Sequence, residues 1–214
     1  MSELIKFDKE NKTRSFLIGT DEAGRGPAAG DVYAAAVCFI KPPCELLTEL
    51  NDSKKISESK REELYELIKQ NSIYAVCKST VAQIEKMNIL NASLDAMKRA
   101  CCKVIKQLNS QDVEVFVDGN KLIKNFNYPQ KFIIKGDATS ASIAAASILA
   151  KVERDRAMQR LHKKYPQYFW ADNKGYLSKV HIEAIKTYGI NEYHRKLFVR
   201  KILEEQKASQ LALF

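Results

Sequence analysis

Four carboxylates stand where short apolar runs give out. Asp21 and Glu22 close the run 16–21, Asp118 closes 113–118, and Asp137 follows 131–135 just ahead of an Ala-rich stretch. Acids ending hydrophobic strands gather at one edge of an α/β sheet, where such folds commonly place their ligands. Each has a plain alternative when taken singly. Asp118-Gly119 is an ordinary turn signal, and Asp137 stands where Asp often caps a helix. Taken jointly they pose an electrostatic problem, because clustered anions repel unless positive charge or a metal offsets them. An all-oxygen donor set without His or Cys favours Mg²⁺ or Mn²⁺ over zinc. Two such ions, ~3.5–4 Å apart, suit the in-line cleavage of a phosphodiester.

The segment Gly19-Thr-Asp-Glu-Ala-Gly-Arg-Gly-Pro-Ala-Ala-Gly30 surrounds the first acids with glycines. Such a stretch lets backbone N–H groups approach a sugar or phosphate closely; a tight turn between two strands is the alternative. No Gly-Lys-Ser/Thr follows, so it is not a Walker A loop, and the GxGxxG dinucleotide pattern is absent. Charge points the same way. Lys and Arg number 35 against 26 Asp and Glu, a net +9, and residues 151–214 alone hold 14 basic and 7 acidic residues. A basic final third suits a polyanion such as nucleic acid, although a solvated helical face would show the same excess.

The elements that must position these groups alternate along the chain. Apolar runs predict strands over 16–21, 32–40, 73–81, 113–118 and 131–135. Ser59-x-x-Glu62 resembles a capping box ahead of the stripe Leu64, Leu67 and Ile68. Leu90, Leu94, Met97, Cys101, Val104, Ile105 and Leu108 recur at helical spacing, which predicts a helix over 90–108. Further helices are expected over 140–161, with Asp155 inside, over 178–188 closed by Gly189, and over 196–208. Strands followed by helices predict an α/β domain with a C-terminal helical region.

Several classes are excluded. The 214 residues, 45% hydrophobic and 29% charged, suit an ordinary soluble globular chain with a full core. No run of 18 apolar residues offers a membrane span, and the N-terminus lacks the apolar core of a signal peptide, so a cytoplasmic protein is expected. Cys38, Cys44, Cys77, Cys101 and Cys102 show no CxxC spacing, and the histidines at 162, 181 and 194 are scattered, which argues against a zinc knuckle and for reduced thiols.

The blocks GTDEAGRGPAAG (19–30), DSKK (52–55), VDGN (117–120), KGD (135–137), SIAAASILAKVERDR (142–156) and NKGY with a following His (173–181) resemble, in order, those of bacterial ribonuclease HII, the type 2 ribonuclease H. The resemblance spans about residues 15 to 200. It implies a ribonuclease H-like mixed five-stranded sheet flanked by helices, with a C-terminal helical region. It also implies Mg²⁺- or Mn²⁺-dependent endonucleolysis, with two ions, of RNA in RNA–DNA hybrids and of ribonucleotides embedded in duplex DNA. The units would be a lead-in over 1–14, a catalytic domain over 15–160, a substrate-binding extension over 161–208 and a tail over 209–214, in a monomer.

Carried over by position, Asp21, Glu22, Asp118 and Asp137 resemble the acidic quartet that holds the metals. Asp155 falls in the matching KVxRD block and, being on a helix, is expected to support the site rather than to ligate. Gly24-Arg25-Gly26 resembles the loop whose backbone reads the ribonucleotide 2′-OH, the group that separates RNA from DNA. Tyr176 matches the tyrosine that packs on the next deoxyribose. Lys54, Lys55, Lys151, Lys174, His181 and Arg195 are expected contacts to the nucleic-acid backbone, or else solvated surface.

Three positions depart from the family pattern: Asp31 stands where Pro is usual, Ser178 for Thr, and Leu197 for a common Ser. None removes a carboxylate. Type 3 ribonuclease H, which usually carries a long N-terminal domain, fits less well because the first catalytic strand begins near residue 16. A catalytically silent binding protein would be expected to lack a carboxylate. Finally, Gln210-Leu-Ala-Leu-Phe214 resembles the QLxLF peptide that bacterial repair proteins insert into the sliding clamp; Leu211, Leu213 and Phe214 packing the last helix is the alternative.

Overall fold

The computed structural model describes residues 2–40, 50 and 56–211, the side chains of 207 and 209–211 excepted. Its strands are β1 (Phe16–Ala23), β2 (Val32–Phe39), β3 (Ser72–Ser79), β4 (Val113–Asp118) and β5 (Gln130–Ile133). They form one sheet in the order β3-β2-β1-β4-β5. The β1–β2 and β2–β3 pairs are antiparallel; β1–β4 and β4–β5 are parallel. The sheet is therefore mixed, as expected. β2 reads VYAAAVCF without alternation because helices cover both of its faces.

The helices are α1 (Glu3–Asn11), α2 (Glu58–Asn71), α3 (Val81–Met87), α4 (Ile89–Leu108), α5 (Ala141–Lys164), α6 (Trp170–Asn173), α7 (Lys179–Tyr188) and α8 (Lys196–Leu211). α4 lays Met97, Cys101 and Val104 on one sheet face. α2 and α5 cover the other with Leu64, Ile68, Ile148 and Leu149. Each such side chain, fully buried, is worth about 1.5–3 kcal/mol of apolar transfer. The Ala-rich start of α5 allows very close approach to β1. A Cβ at Gly19 would lie 2.2 Å from the Ser142 carbonyl carbon, so only glycine fits there. Among the described residues no helix is long and apolar enough to cross a membrane.

Several boundaries differ from expectation for local reasons. β1 continues past Asp21 because its pairing with β2 runs on to Ala23 opposite Tyr33. β5 stops at Ile133, since Lys135 turns left-handed (φ 54°) into a short 3₁₀ turn over Gly136–Ala138. β3 stops at Ser79 because Thr80 and Gln83 form a reciprocal capping box that opens α3. Ser57, not Ser59, caps α2, accepting from the Lys60 N–H. The lead-in contains α1, whose buried Asp8 accepts from the Ser142 N–H (2.9 Å) and hydroxyl (2.7 Å) at the start of α5.

Candidate active site

Strand register gathers the acids. Parallel pairing sets Thr20 beside Val117, so the following residues, Asp21 and Asp118, come next on adjoining strands. The 3₁₀ turn after β5 delivers Asp137 to the same edge. Asp21, Glu22, Asp118 and Asp137 all line one cavity of about 430 Å³, together with Gly24, Arg25, Gly26 and Tyr176. Sequence reading thus brings together the residues that the structure also brings together.

The electrostatics are those of crowded acids, relieved in part by protein partners. Asp21 is only 5% exposed. Burial pushes its carboxyl well above the ordinary range, and the neighbouring Glu22 and Asp118 push it further, while Ser147 and the Glu22 N–H pull it back. Two of the others are turned toward protein partners. Glu22 pairs with Arg25 at 3.2 Å, and Asp118 Oδ1 accepts the Gly136 N–H at 2.7 Å. Among the described residues no three His, Cys, Asp or Glu side chains close on one point. The quartet still fits a hard divalent cation, because every donor is oxygen and the buried Asp21 faces like charges that a cation would offset.

The rest of the lining is in part backbone and ring. Gly24 adopts φ +101°, and a Cβ there would sit 2.1 Å from Arg154 Nε. Gly26 faces Tyr176, whose ring would lie 3.3 Å from an added Cβ. Tyr176 itself is 54% exposed, which suits a ring presented to a ligand rather than to a core. Arg154, not singled out from the sequence, is 2% exposed and donates to the carbonyl of Lys174 at 2.8 Å. Its signal was an Arg one turn into the basic end of an otherwise apolar helix. Arg61 and Ser147 also line the cavity and were likewise missed.

The basic candidates divide. Lys151 lines the cavity and lies 2.5 Å from both carboxylate oxygens of Asp155, so Asp155 holds a lysine rather than facing the cavity. Burial lowers the Lys151 ammonium, and Asp155 partly restores it. Lys174 is half-buried, left-handed (φ 50°), and gives its carbonyl to Arg154. Lys54, Lys55, Leu213 and Phe214 lie outside the described residues, as do the side chains of Gln210 and Leu211.

His181 and Arg195 require correction. Both were expected at the nucleic-acid backbone, yet both are fully buried. His181 turns inward to the Tyr176 carbonyl (2.8 Å) and to Trp170 (3.1 Å). Arg195 spends its fork on the glycine loop. Nη2 donates to the carbonyls of Gly24 (2.6 Å) and Gly30 (2.8 Å), Nη1 to Arg25 (3.0 Å) and Pro27 (2.7 Å), and Nε to Gly30 (3.0 Å). A basic stretch in sequence does not distinguish a guanidinium aimed at phosphate from one aimed at carbonyls.

The departures have structural roles of their own. Asp31 Oδ2 pairs with Lys78 at 2.7 Å and Oδ1 accepts the Val81 N–H at 3.1 Å, tying the start of β2 to the start of α3. Ser178 caps α7, accepting from the His181 N–H, as a Thr would. Leu197 is 67% exposed, and nothing in the structure explains the substitution.

A mixed sheet in this order, with acids on the adjoining ends of its parallel central pair, defines a ribonuclease H-like endonuclease. The ribonuclease HII family model matches residues 18–201, more than half of the sequence. The chain belongs to the ribonuclease HII family. It is 52% identical over 205 residues to a ribonuclease HII of Fusobacterium nucleatum, covering 95% of this chain and 94% of that one. A ribonuclease HII of Marinomonas is 46% identical, covering 88% and 93%. Among solved structures, ribonuclease H2 of Pyrococcus horikoshii superposes with a TM-score of 0.69 at 28% identity, covering 90% of this chain and 99% of that one. Ribonuclease HII of Archaeoglobus fulgidus, solved in complex with PCNA, gives 0.67 at 28%, covering 84% and 93%. A Bst ribonuclease HIII solved with Mn²⁺ gives 0.71 at 17%, covering 90% and 70%, a likeness of fold.

Proposed function

We propose that this endonuclease cuts RNA in RNA–DNA hybrids and cuts on the 5′ side of ribonucleotides embedded in duplex DNA, leaving 3′-hydroxyl and 5′-phosphate ends. Its work would be ribonucleotide excision and RNA-primer removal in the cytoplasm, as a monomer. The observation that carries the reading is a single cavity lined both by the four carboxylates and by Gly24–Gly26 with Tyr176. Asp21, Glu22, Asp118 and Asp137 would hold two Mg²⁺ or Mn²⁺ ions. When bound, the ions supply the charge that offsets negative charge on the attacking and leaving oxygens of an in-line displacement. Backbone groups of Gly24, Arg25 and Gly26 read the 2′-OH, and the Tyr176 ring packs on the following deoxyribose. Lys151, held by Asp155, would contact the nucleic-acid backbone. Residues 161–208 act as the substrate-binding extension of the catalytic unit 15–160.

A second partner is proposed from the tail. The Archaeoglobus relative was solved bound to PCNA, and residues 210–214 here read QLALF. A Gln with two Leu and a Phe makes a compact apolar anchor for a sliding clamp. Cleavage rates on three duplexes test the catalytic reading: one with a single ribonucleotide, one RNA–DNA hybrid, and one all DNA. Cutting of the first two in Mg²⁺ or Mn²⁺, lost with chelator, is expected. Equal cutting of all-DNA duplex, or full activity in chelator, would refute it.

A further inference from the structure

Behind Tyr176 lies a hydrogen-bonded set of rings with no assigned role. The Tyr176 carbonyl is 2.8 Å from His181 Nδ1, so that nitrogen carries the proton and donates. His181 Nε2 is then an acceptor, and it receives the Trp170 indole N–H at 3.1 Å and His194 Nε2 at 3.2 Å. His194 Nε2 then carries a proton, and its Nδ1 lies 3.1 Å from the Asn191 N–H and 3.0 Å from Asn191 Oδ1. With both imidazoles neutral, that Nδ1 accepts the Asn191 N–H. Burial pushes both down, His194 to about 4, in keeping with that arrangement.

The same segment also holds the glycine loop. His194 bridges Ala29, the Gly30 N–H donates to the Tyr193 carbonyl at 2.8 Å, and Arg195 gathers the loop carbonyls. Trp170, fully buried and stacked on Tyr168 at 4.9 Å, gives the set a rigid floor.

We infer that His181 and His194 are positioning residues for ribonucleotide discrimination: their relay, anchored on Trp170, fixes the Tyr176 ring relative to the Gly24–Gly26 loop. This rests on Tyr176 reading the deoxyribose beyond the ribonucleotide. A duplex with one ribonucleotide presents that deoxyribose, whereas an all-RNA strand does not. Displacement of the ring should therefore cost selectivity and not merely rate.

The test compares kcat/KM on those two substrates for His181→Ala, His181→Asn, Tyr176→Ala and the double alanine variant. His181→Ala is expected to lose about tenfold more on the single-ribonucleotide duplex than on the hybrid, as Tyr176→Ala does, since a displacement near 1 Å carries costs of that order or larger. The double variant should show no further loss of preference. His181→Asn, whose amide can replace the Nδ1–H donor, should keep most of it. Trp170 is the sole tryptophan, so its emission should shift in His181→Ala and not in Tyr176→Ala. Should His181→Ala fail to fold, His194→Leu, which removes the donor to His181 Nε2 along with the acceptor for the Asn191 N–H, carries the same comparison. Equal losses on both substrates, with Tyr176→Ala still altering preference, would overturn the inference and leave a structural role. If Tyr176→Ala leaves preference unchanged, the reading of Tyr176 falls and the inference with it.

Discussion

Arg195→Lys separates a phosphate contact from a brace for the loop. Lysine keeps the charge and would serve a phosphate nearly as well, as a point cation. It cannot reproduce a planar fork that reaches four carbonyls, those of Gly24, Arg25, Pro27 and Gly30, with five hydrogen bonds. An ammonium has three donors, so at least one buried carbonyl is left unpaired, at roughly 1–3 kcal/mol, and the remaining bonds are poorly aimed. Burial already disfavours the charge here, lowering the Arg195 guanidinium to about 10, with Arg154 nearby adding to the effect. The net loss should be about 2–4 kcal/mol, a fall in Tm of roughly 5–15 °C for a domain of this size. Denaturant unfolding measures the first quantity, and substrate affinity against salt measures the alternative. A phosphate contact would leave the stability of Arg195→Lys intact, and only an uncharged variant, Arg195→Gln, would then reduce the slope of log K against log salt, by about 0.9. The brace requires the stability loss already in Arg195→Lys. A lysine variant as stable as the parent, with the slope reduced in Arg195→Gln, would refute it.

Asp118→Asn keeps the side chain's size but removes an anion from the quartet. Cleavage should fall at least ~100-fold with substrate affinity kept or improved, read by single-turnover kinetics and a binding titration. Acid should weaken the fold through His194. Its folded-state value, about 4, lies below the ordinary 6.5, so the contribution is complete above about 6.5 and disappears as pH falls toward 4. The shift corresponds to about 3 kcal/mol, measurable by unfolding at pH 4.5 and 7.5, and His194→Gln should flatten the profile. Deleting residues 210–214 should leave cleavage of a short oligonucleotide unchanged and abolish binding to the cognate clamp. No binding of the full chain at tens of micromolar would end the tail hypothesis.

The acids were legible because hydrophobic runs ending in carboxylates are a local pattern, and strand register then decides that they meet. What lay hidden depends on packing between distant segments. His181 and Arg195 looked like surface cations because burial at the centre of 28–30, 173–176 and 191–195 leaves no periodic trace. Arg154 was passed over for the same reason, since its partner carbonyl is 20 residues away. Asp8 reaches Ser142 across 134 residues, so a lead-in with no apparent role became an anchor for α5. By contrast Thr80-x-x-Gln83 was a readable capping box, obscured by the preceding apolar strand.

The most direct measurement maps the bond cut in a duplex holding one ribonucleotide, at nucleotide resolution, with Mg²⁺ and with chelator. If Gly24–Gly26 and Tyr176 read the junction beside the carboxylates as proposed, the cut falls on the 5′ side of the ribonucleotide. The upstream piece should end in a 3′-hydroxyl, the ribonucleotide should remain at the 5′-phosphorylated end of the downstream piece, and chelator should abolish the reaction. A cut on the 3′ side, or one that persists without divalent metal, would contradict it.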